Sequence, residues 1–294
     1  MMDHVDELIE KELALPEEER MTAVAIVTPN SSHFEIASKL IKNKFHIICD
    51  KPMTTTVAEA IELERLVKEN NVVFCLTHTY TGYPMVRQMR EMIKSGILGE
   101  FQRIDVQYYQ GWVNDLLQGS GGKINIWRMD PKYAGSSSCM ADIGVHGFNL
   151  IEYTTGLKIK SILSDLNSLK ADIPLDLDGT VLLRFDGNFK GVIRASQIAT
   201  GEENNVKIAV YGSKAALKWE QEDPNYLYLI SDNEPKRTYK PAHVYNSEFA
   251  ESSHVMPQGH PEGIYEAFGN LYKGAAKAIH GQQLFDHEFP DVTD

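Results

Sequence analysis

Thr22-Ala-Val-Ala-Ile-Val-Thr-Pro-Asn30, Ser31-Ser-His-Phe-Glu-Ile-Ala-Ser-Lys-Leu-Ile-Lys42 and Phe45-His-Ile-Ile-Cys-Asp-Lys-Pro52 together form the stretch that decides the fold. Residues 22–27 are an apolar run of strand length, stopped by a turn at Thr28-Pro29-Asn30. Ser32 and Glu35 have the spacing of a capping box, and Phe34, Ala37, Leu40 and Ile41 then keep helical periodicity to about residue 43. Phe45–Cys49 is a second apolar strand, ending at Asp50-Lys51-Pro52. Further out, Thr56 with Glu59 sets another capping box for a helix through Ile61, Leu63, Leu66 and Val67, and Val72–Leu76 reads as a third short strand. An acidic helix over 3–14 and a Pro16–Arg20 connector precede them. Strands that are apolar throughout and alternate with helices are buried on both faces, the pattern of a doubly wound parallel sheet.

Downstream the pattern changes. A helix over 83–94 ends near Gly96, and Gly99 marks a boundary between residues 1–99 and residues 100–294. Phe101–Gln110 alternates, with Ile104, Val106 and Tyr108 on one face. Strand-like runs follow at 159–166, 179–185, 189–198, 206–211, 215–220 and 226–231, with a hairpin turn at Asp186-Gly187-Asn188. Successive strands without helices between them form an antiparallel sheet, so the second domain is α+β. Residues 242–259 read as loop, and Pro261 opens a last helix to about His280. The expected fold class is an α/β Rossmann-like domain followed by an open, mainly antiparallel sheet domain.

Charge and composition narrow the function. A net charge of -12 disfavours nucleic acid and anionic membranes as partners. The acidic start has no signal-peptide core, and no apolar run is long enough to cross a membrane. The three cysteines (Cys49, Cys75, Cys139) show no metal-ligand spacing, which suits a reducing cytoplasm.

Three motifs carry chemistry. Doubly wound sheets bind ligands beyond the carboxyl ends of their strands. Thr28-Pro29-Asn30 with His33, and Asp50-Lys51-Pro52, lie at two such ends. Taken singly they also read as an ordinary turn and a surface lysine. The third motif is Asp142-Ile-Gly-Val-His146, on a helix closed by Gly156. Its spacing puts carboxylate and imidazole on one face, as a general base requires, and it fits a solvated pair as well. In this order, on consecutive strands and then a helix, the three motifs are specific.

With these residues the chain resembles the glucose–fructose oxidoreductase and inositol dehydrogenase family (Gfo/Idh/MocA). The resemblance runs over nearly the whole chain and includes Gly96-Ile-Leu-Gly99, Trp127-Arg-Met-Asp-Pro131 and Gln258-Gly-His-Pro-Glu-Gly263. It implies an NAD- or NADP-dependent oxidoreductase acting on a secondary hydroxyl of a sugar, inositol or related polyol. It also implies a homo-oligomer built through the second-domain sheet. Lys51, Asp142 and His146 match the family's catalytic positions, with Asp50 where glutamate is commoner. His146 suits removal of the hydroxyl proton, oriented by Asp142, and Lys51 suits stabilisation of an alkoxide. Thr28, Pro29, Asn30, His33, Asp50, Lys51 and Pro52 are the candidate cofactor contacts. Gln110, Trp112, Asn114, Trp127 and Arg128 join Asp142 and His146 as candidate substrate contacts, because indole faces and amides suit a pyranose. His260 reads as a structural residue opening the last helix.

One expected feature is absent. A dinucleotide site begins with a Gly-x-Gly-x-x-Gly turn that holds the pyrophosphate, and these 294 residues contain none. Gly119, Gly121 and Gly122 read as a loop of the second domain and lack the spacing. Against the family the chain reads as clipped at both ends. It is expected to bind the nicotinamide cofactor poorly as written, and to leave the 22–27 strand with a bare edge. A non-catalytic sugar-binding or regulatory relative is the main alternative. A metal-dependent hydrolase needs more ligands than Asp142 and His146 supply.

Overall fold

The computed structural model describes residues 2–118 and 127–293, and Gly119, Gly121 and Gly122 lie outside them. The chain forms two compact units, one of residues 1–78, 130–136 and 271–294, the other of residues 79–129 and 137–270. The contacts divide the chain after His78, where the sequence reading sets its boundary at Gly99. Tyr80, Tyr83, Met85 and Met89, read as the tail of the first domain, belong to the core of the second unit.

In the first unit, β1 (Ala23–Ile26), β2 (His46–Cys49) and β3 (Phe74–Leu76) pair in parallel in that order, so β1 is an edge of the described sheet. One core gathers α1 (Met2–Leu13), α2 (His33–Lys42) and α3 (Val57–Asn70) through Ile9, Ile36, Leu40, Ile41, Leu63 and Leu66, with Ile47 and Phe74 of the strands. On Ile48 and Cys75 pack Leu271 and Ala275, from the later half of the C-terminal helix Ile264–Ile279. Both faces of the sheet are thus covered, which is why β2 and β3 are apolar in succession, at Ile47, Ile48 and Cys49 and at Phe74–Leu76. The Thr56–Glu59 capping box forms as expected. The Ser32–Glu35 box does not. Asn30–Ser32 is already a 3-10 turn, and the Ser32 hydroxyl lies 2.7 Å from Thr28 Oγ1 and 2.8 Å from Pro29 O.

The second unit is built on an eight-stranded sheet. Its strands are β4 (Phe101–Tyr109), β5 (Ser161–Asn167), β6 (Asp178–Arg184), β7 (Lys190–Ser196), β8 (Asn205–Gly212), β9 (Ala216–Glu220), β10 (Leu227–Ser231) and β11 (Glu234–Tyr239). They lie in the order β11-β10-β9-β8-β4-β7-β6-β5, antiparallel except for the parallel pair β4 and β7. The sequence carries no sign of β11, whose Glu-Pro-Lys-Arg-Thr-Tyr has no apolar alternation and whose residues stay largely exposed at the edge. The last helix starts at Ile264, and the expected loop 242–259 holds a short helix, Glu248–Glu251, capped by Ser247.

Alternation places Ile104, Val106 and Tyr108 on one face of their strand without saying which face is covered. The structure turns this stripe inward. It packs in one core with Met85, Val86 and Met89 of the helix Pro84–Lys94 and Leu150 and Ile151 of the helix Val145–Thr155. Trp219 joins this core, 2% exposed, with its ring 5.3 Å from Tyr83 and its indole N–H donated to Pro224 O. The outward face instead carries Arg103, Lys207 and Lys218, all exposed. Among the described residues no helix is long and apolar enough to cross a membrane.

Candidate active site

The first half-site is made by strand ends. After β1 and β2 the chain turns through Thr28-Pro29-Asn30 and Asp50-Lys51-Pro52, and His33, in the first turn of its helix, reaches both loops. Its Nε2 lies 2.8 Å from Thr28 O and its Nδ1 2.9 Å from Pro52 O. Asn30, also buried, donates its amide to Ala134 O at 3.1 Å. Asp50 Oδ1 accepts from Thr77 Oγ1 at 2.7 Å, and Thr77 N donates to Cys49 O, which joins the end of β3 to that of β2. His33, grouped on sequence with the cofactor contacts, has both ring nitrogens against backbone carbonyls. It is a clasp that fixes the two loops. Lys51 is half-buried. Next in the chain to Thr77, His78 is fully buried, and burial first, then the nearby Lys51 charge, pushes its imidazole down to about 3.

This set suits part of a nicotinamide dinucleotide. A half-buried lysine ammonium and strand-end hydroxyl and carboxylate groups match the hydroxyls of the nicotinamide ribose. No turn of stacked backbone N–H groups with the glycine spacing for a pyrophosphate occurs in the sequence.

The second half-site sits where a helix begins, and its start is not a plain α-turn. Met140–Gly144 is a π-helical turn that runs into the α-helix Val145–Thr155; such turns are frequent at functional positions. Two glycines explain the local sequence. A Cβ on Gly144 would meet Met140 Cε at 2.4 Å. One on Gly147 would lie 3.0 Å from Ile193 Cγ2 and 3.2 Å from Val106 Cγ1, so the helix rests directly on β4 and β7.

On this frame Asp142 accepts from Gln197 Nε2 at 2.9 Å and pairs with Arg128 Nε at 3.3 Å. The Arg128 guanidinium also stacks on the Trp127 ring, 4.3 Å from its centroid. His146 is buried, its ring edge-on to Tyr80 at 4.7 Å and 6.0 Å from Tyr108. The two phenols are 2.6 Å apart, and Asn204 bonds both, accepting from Tyr108 and donating to Tyr80. Burial is the main cause that pushes Tyr80 up to about 12 and Tyr108 well above the usual phenol range, so both stay neutral.

Gln110 extends the network, donating to Asn204 and accepting from the Trp112 indole at 3.0 Å. Asn114 gives its amide to Ile198 O and Thr200 Oγ1. The candidate substrate contacts therefore fall into two groups, one around Asp142 and one around Tyr108. Sequence reasoning missed Tyr80, Asn204 and Gln197. Tyr80 follows a strand with no motif around it, and Gln197 and Asn204 sit at the ends of β7 and β8, where alternation carries no message. Among the described residues no group of three or more His, Cys, Asp or Glu could hold a metal ion.

Comparison with known proteins agrees with this architecture. Residues 4–78 match the family described as "Oxidoreductase family, NAD-binding Rossmann fold", and residues 86–218 match "GFO/IDH/MocA C-terminal domain". The chain is 30% identical over 280 residues to "Uncharacterized oxidoreductase YfiI" of Bacillus subtilis, covering 92% of this chain and 70% of that protein. It is 27% identical over 251 residues to the levoglucosan dehydrogenase of Pseudarthrobacter phenanthrenivorans, covering 76% of this chain and 63% of the relative. The crystal structure of an inositol dehydrogenase homolog complexed with NAD+ from Azotobacter vinelandii superposes with a TM-score of 0.88 at 28% identity, over 98% of this chain and 76% of that one. The chain belongs to the GFO/IDH/MocA oxidoreductase family, whose first domain is an NAD-binding Rossmann fold.

Proposed function

We propose that this chain carries the acid–base residues of a dehydrogenase that removes hydride from a secondary hydroxyl of a sugar or cyclic polyol, with NAD or NADP as acceptor. The observation that carries the reading is the second half-site. There a carboxylate held by an arginine and a buried amide lies four residues before a buried histidine on one helix. The nicotinamide ring, when bound, supplies the hydride acceptor. His146 takes the hydroxyl proton, and Asp142 sets the imidazole's orientation and favours its protonated form. Lys51 binds the ribose and offsets the negative charge that develops on the alcohol oxygen. Thr28, Asn30, Asp50 and Pro52 shape the loops in which Lys51 is held. Trp112, Trp127 and Arg128 serve the apolar and hydroxyl surfaces of the ring. The named activities of the levoglucosan dehydrogenase and of the inositol dehydrogenase homolog support a cyclic polyhydroxy substrate.

The test is turnover of a panel of inositols and anhydrosugars with NAD+ and NADP+ raised to saturation, since the chain is expected to bind either cofactor weakly. His146→Ala should lower kcat by about 10²–10⁴. Unchanged turnover in that variant would refute the assignment.

The sheet of the second unit is the proposed surface for self-association. Leu163 and Leu182 face each other in register on β5 and β6, 69% and 43% exposed. Such a surface is normally covered by a partner. Sedimentation as a monomer at micromolar concentration would count against it.

A further inference from the structure

Asp142 and His146 are only as well placed as the helix start that carries them, and that start is held by two buried side chains from distant parts of the sequence. Gln197, just past the end of β7, has no exposed surface. Its amide is used at both ends. Nε2 donates to Asp142 Oδ2 at 2.9 Å, and Oε1 accepts from Ser138 Oγ at 3.4 Å. Its backbone is anchored in turn, N donating to Leu177 O. Asp176, two residues before β6, caps the first turn. Oδ1 accepts from Ser138 N at 2.9 Å, Oδ2 from Met140 N at 2.8 Å, and its carbonyl from Cys139 N at 3.0 Å. Three successive N–H groups that a helix start leaves without intrahelical partners are thus satisfied by one residue.

We infer that Gln197 and Asp176 are positioning residues for the acid–base pair, Asp176 fixing where the π-turn begins and Gln197 fixing the direction of the Asp142 carboxylate. The inference rests on the proposed roles of Asp142 and His146. The physical argument is one of satisfaction. A fully buried amide must use both its donor and its acceptor, and only one orientation of Gln197 does so here. That orientation leaves Asp142 Oδ2 facing a donor and not solvent. Arg128 then fixes the other carboxylate oxygen, and two donors on two oxygens leave the group no free rotation. A purely architectural glutamine would need no carboxylate at the end of its Nε2.

The test reads Asp142 directly, by carbon NMR titration of its carboxylate in the whole protein. The charged and titratable groups around it are Arg128, His146, the Tyr80 and Tyr108 phenols and the Cys139 thiol. Gln197→Leu removes one donor to the charged form and should raise the Asp142 pKa by about 0.5–1 unit. Gln197→Glu keeps an acceptor for Ser138 but sets a second carboxylate against Asp142, and should raise it further. Asp176→Asn puts a donor against a backbone N–H and should speed amide exchange at Ser138 and Met140. An Asp142 titration identical in all three proteins would overturn the inference, whichever variant folds best.

Turnover separates this from the functional reading. If His146→Ala abolishes activity, Gln197→Leu should lower kcat ten- to a hundredfold with KM for NAD+ unchanged, the scale of a displaced reacting group. If His146→Ala leaves turnover intact while Gln197→Leu still moves the Asp142 titration, the functional reading falls and the positioning contact stands. Loss of activity in His146→Ala with wild-type kcat and titration in Gln197→Leu would sink the positioning role alone.

Discussion

The two half-sites are held in place by different means. Around Lys51 the loops are tied to each other through the main chain, His33 bridging two carbonyls and Asn30 reaching a third. Around Asp142 and His146, Asp176 holds the main chain of the helix start. The remaining ties there are between side chains, Gln197 with Asp142 and Tyr80 with Tyr108 and Asn204, across sequence separations of 28 to 124 residues. A site tied through its backbone tolerates exchange of most neighbouring side chains and depends on its clasp. One tied through side chains can be lost by a single change in any partner, since each partner leaves a buried group unsatisfied.

The sharpest way to separate the chemistry of the first half-site from its architecture is Lys51→Ala. Turnover should fall by about 10²–10³, the cost of one donor aimed at a developing oxyanion, while unfolding free energy changes by less than about 1 kcal/mol. Denaturant melts run beside kinetics decide it. A large stability loss with activity per folded molecule intact would make Lys51 architectural.

The clasp is challenged by His33→Ala, which removes a buried ring whose nitrogens face the Thr28 and Pro52 carbonyls, the neutral imidazole donating to one of them at a time. A loss of about 2–4 kcal/mol is expected in urea unfolding, larger than for exchange of any exposed neighbour. A loss below about 0.5 kcal/mol would show that the loops hold themselves.

Acid should weaken the first unit through His78. Its imidazole is held near 3 when folded, by burial and then by the Lys51 charge, and returns to about 6.5 when unfolded. Below about pH 6.5 the unfolded chain therefore binds the extra proton. Stability falls toward pH 3 with a slope approaching about 1.4 kcal/mol per pH unit. Urea unfolding between pH 4 and 7 should show this slope in the wild type and its reduction in His78→Gln. Identical slopes in both proteins would remove His78 from the account.

The smallest expected effect is a null one shared by both units. Burial is the main cause that pushes the Cys75 thiol up to about 12 and raises Cys49 and Cys139 as well. All three should resist iodoacetamide at pH 8 in the native protein and react in guanidinium. Rapid native labelling of Cys139 alone would mean that the second half-site opens to solvent more readily than the first.

The same difference explains what was legible in the sequence. Lys51 could be located because the strand before it ends in three successive apolar residues, Ile47, Ile48 and Cys49, and the break at Asp50 is abrupt. Asp142 and His146 could be located because helical spacing and Gly156 mark their element. The π-turn, the Asp176 cap and Gln197 left no local trace, since their partners lie 36 to 59 residues apart and each is an ordinary polar residue in its own neighbourhood. The inward turn of Ile104, Val106 and Tyr108 could not be read either. Alternation separates two faces of a strand without saying which one the helices cover.

Trp219, packed against Tyr83, gives the molecule an optical property. The chain has three tryptophans, Trp112, Trp127 and Trp219, and every one belongs to the second unit. Indole emission therefore follows that unit alone. Trp219 supplies a blue, shielded signal from the core, and the half-buried Trp112 and Trp127 supply a redder one from beside Gln110 and Arg128. The parallel sheet is silent in this channel and shows itself only in far-ultraviolet dichroism. Recording both signals along one denaturation curve resolves the melting of the two units without a label or an engineered probe.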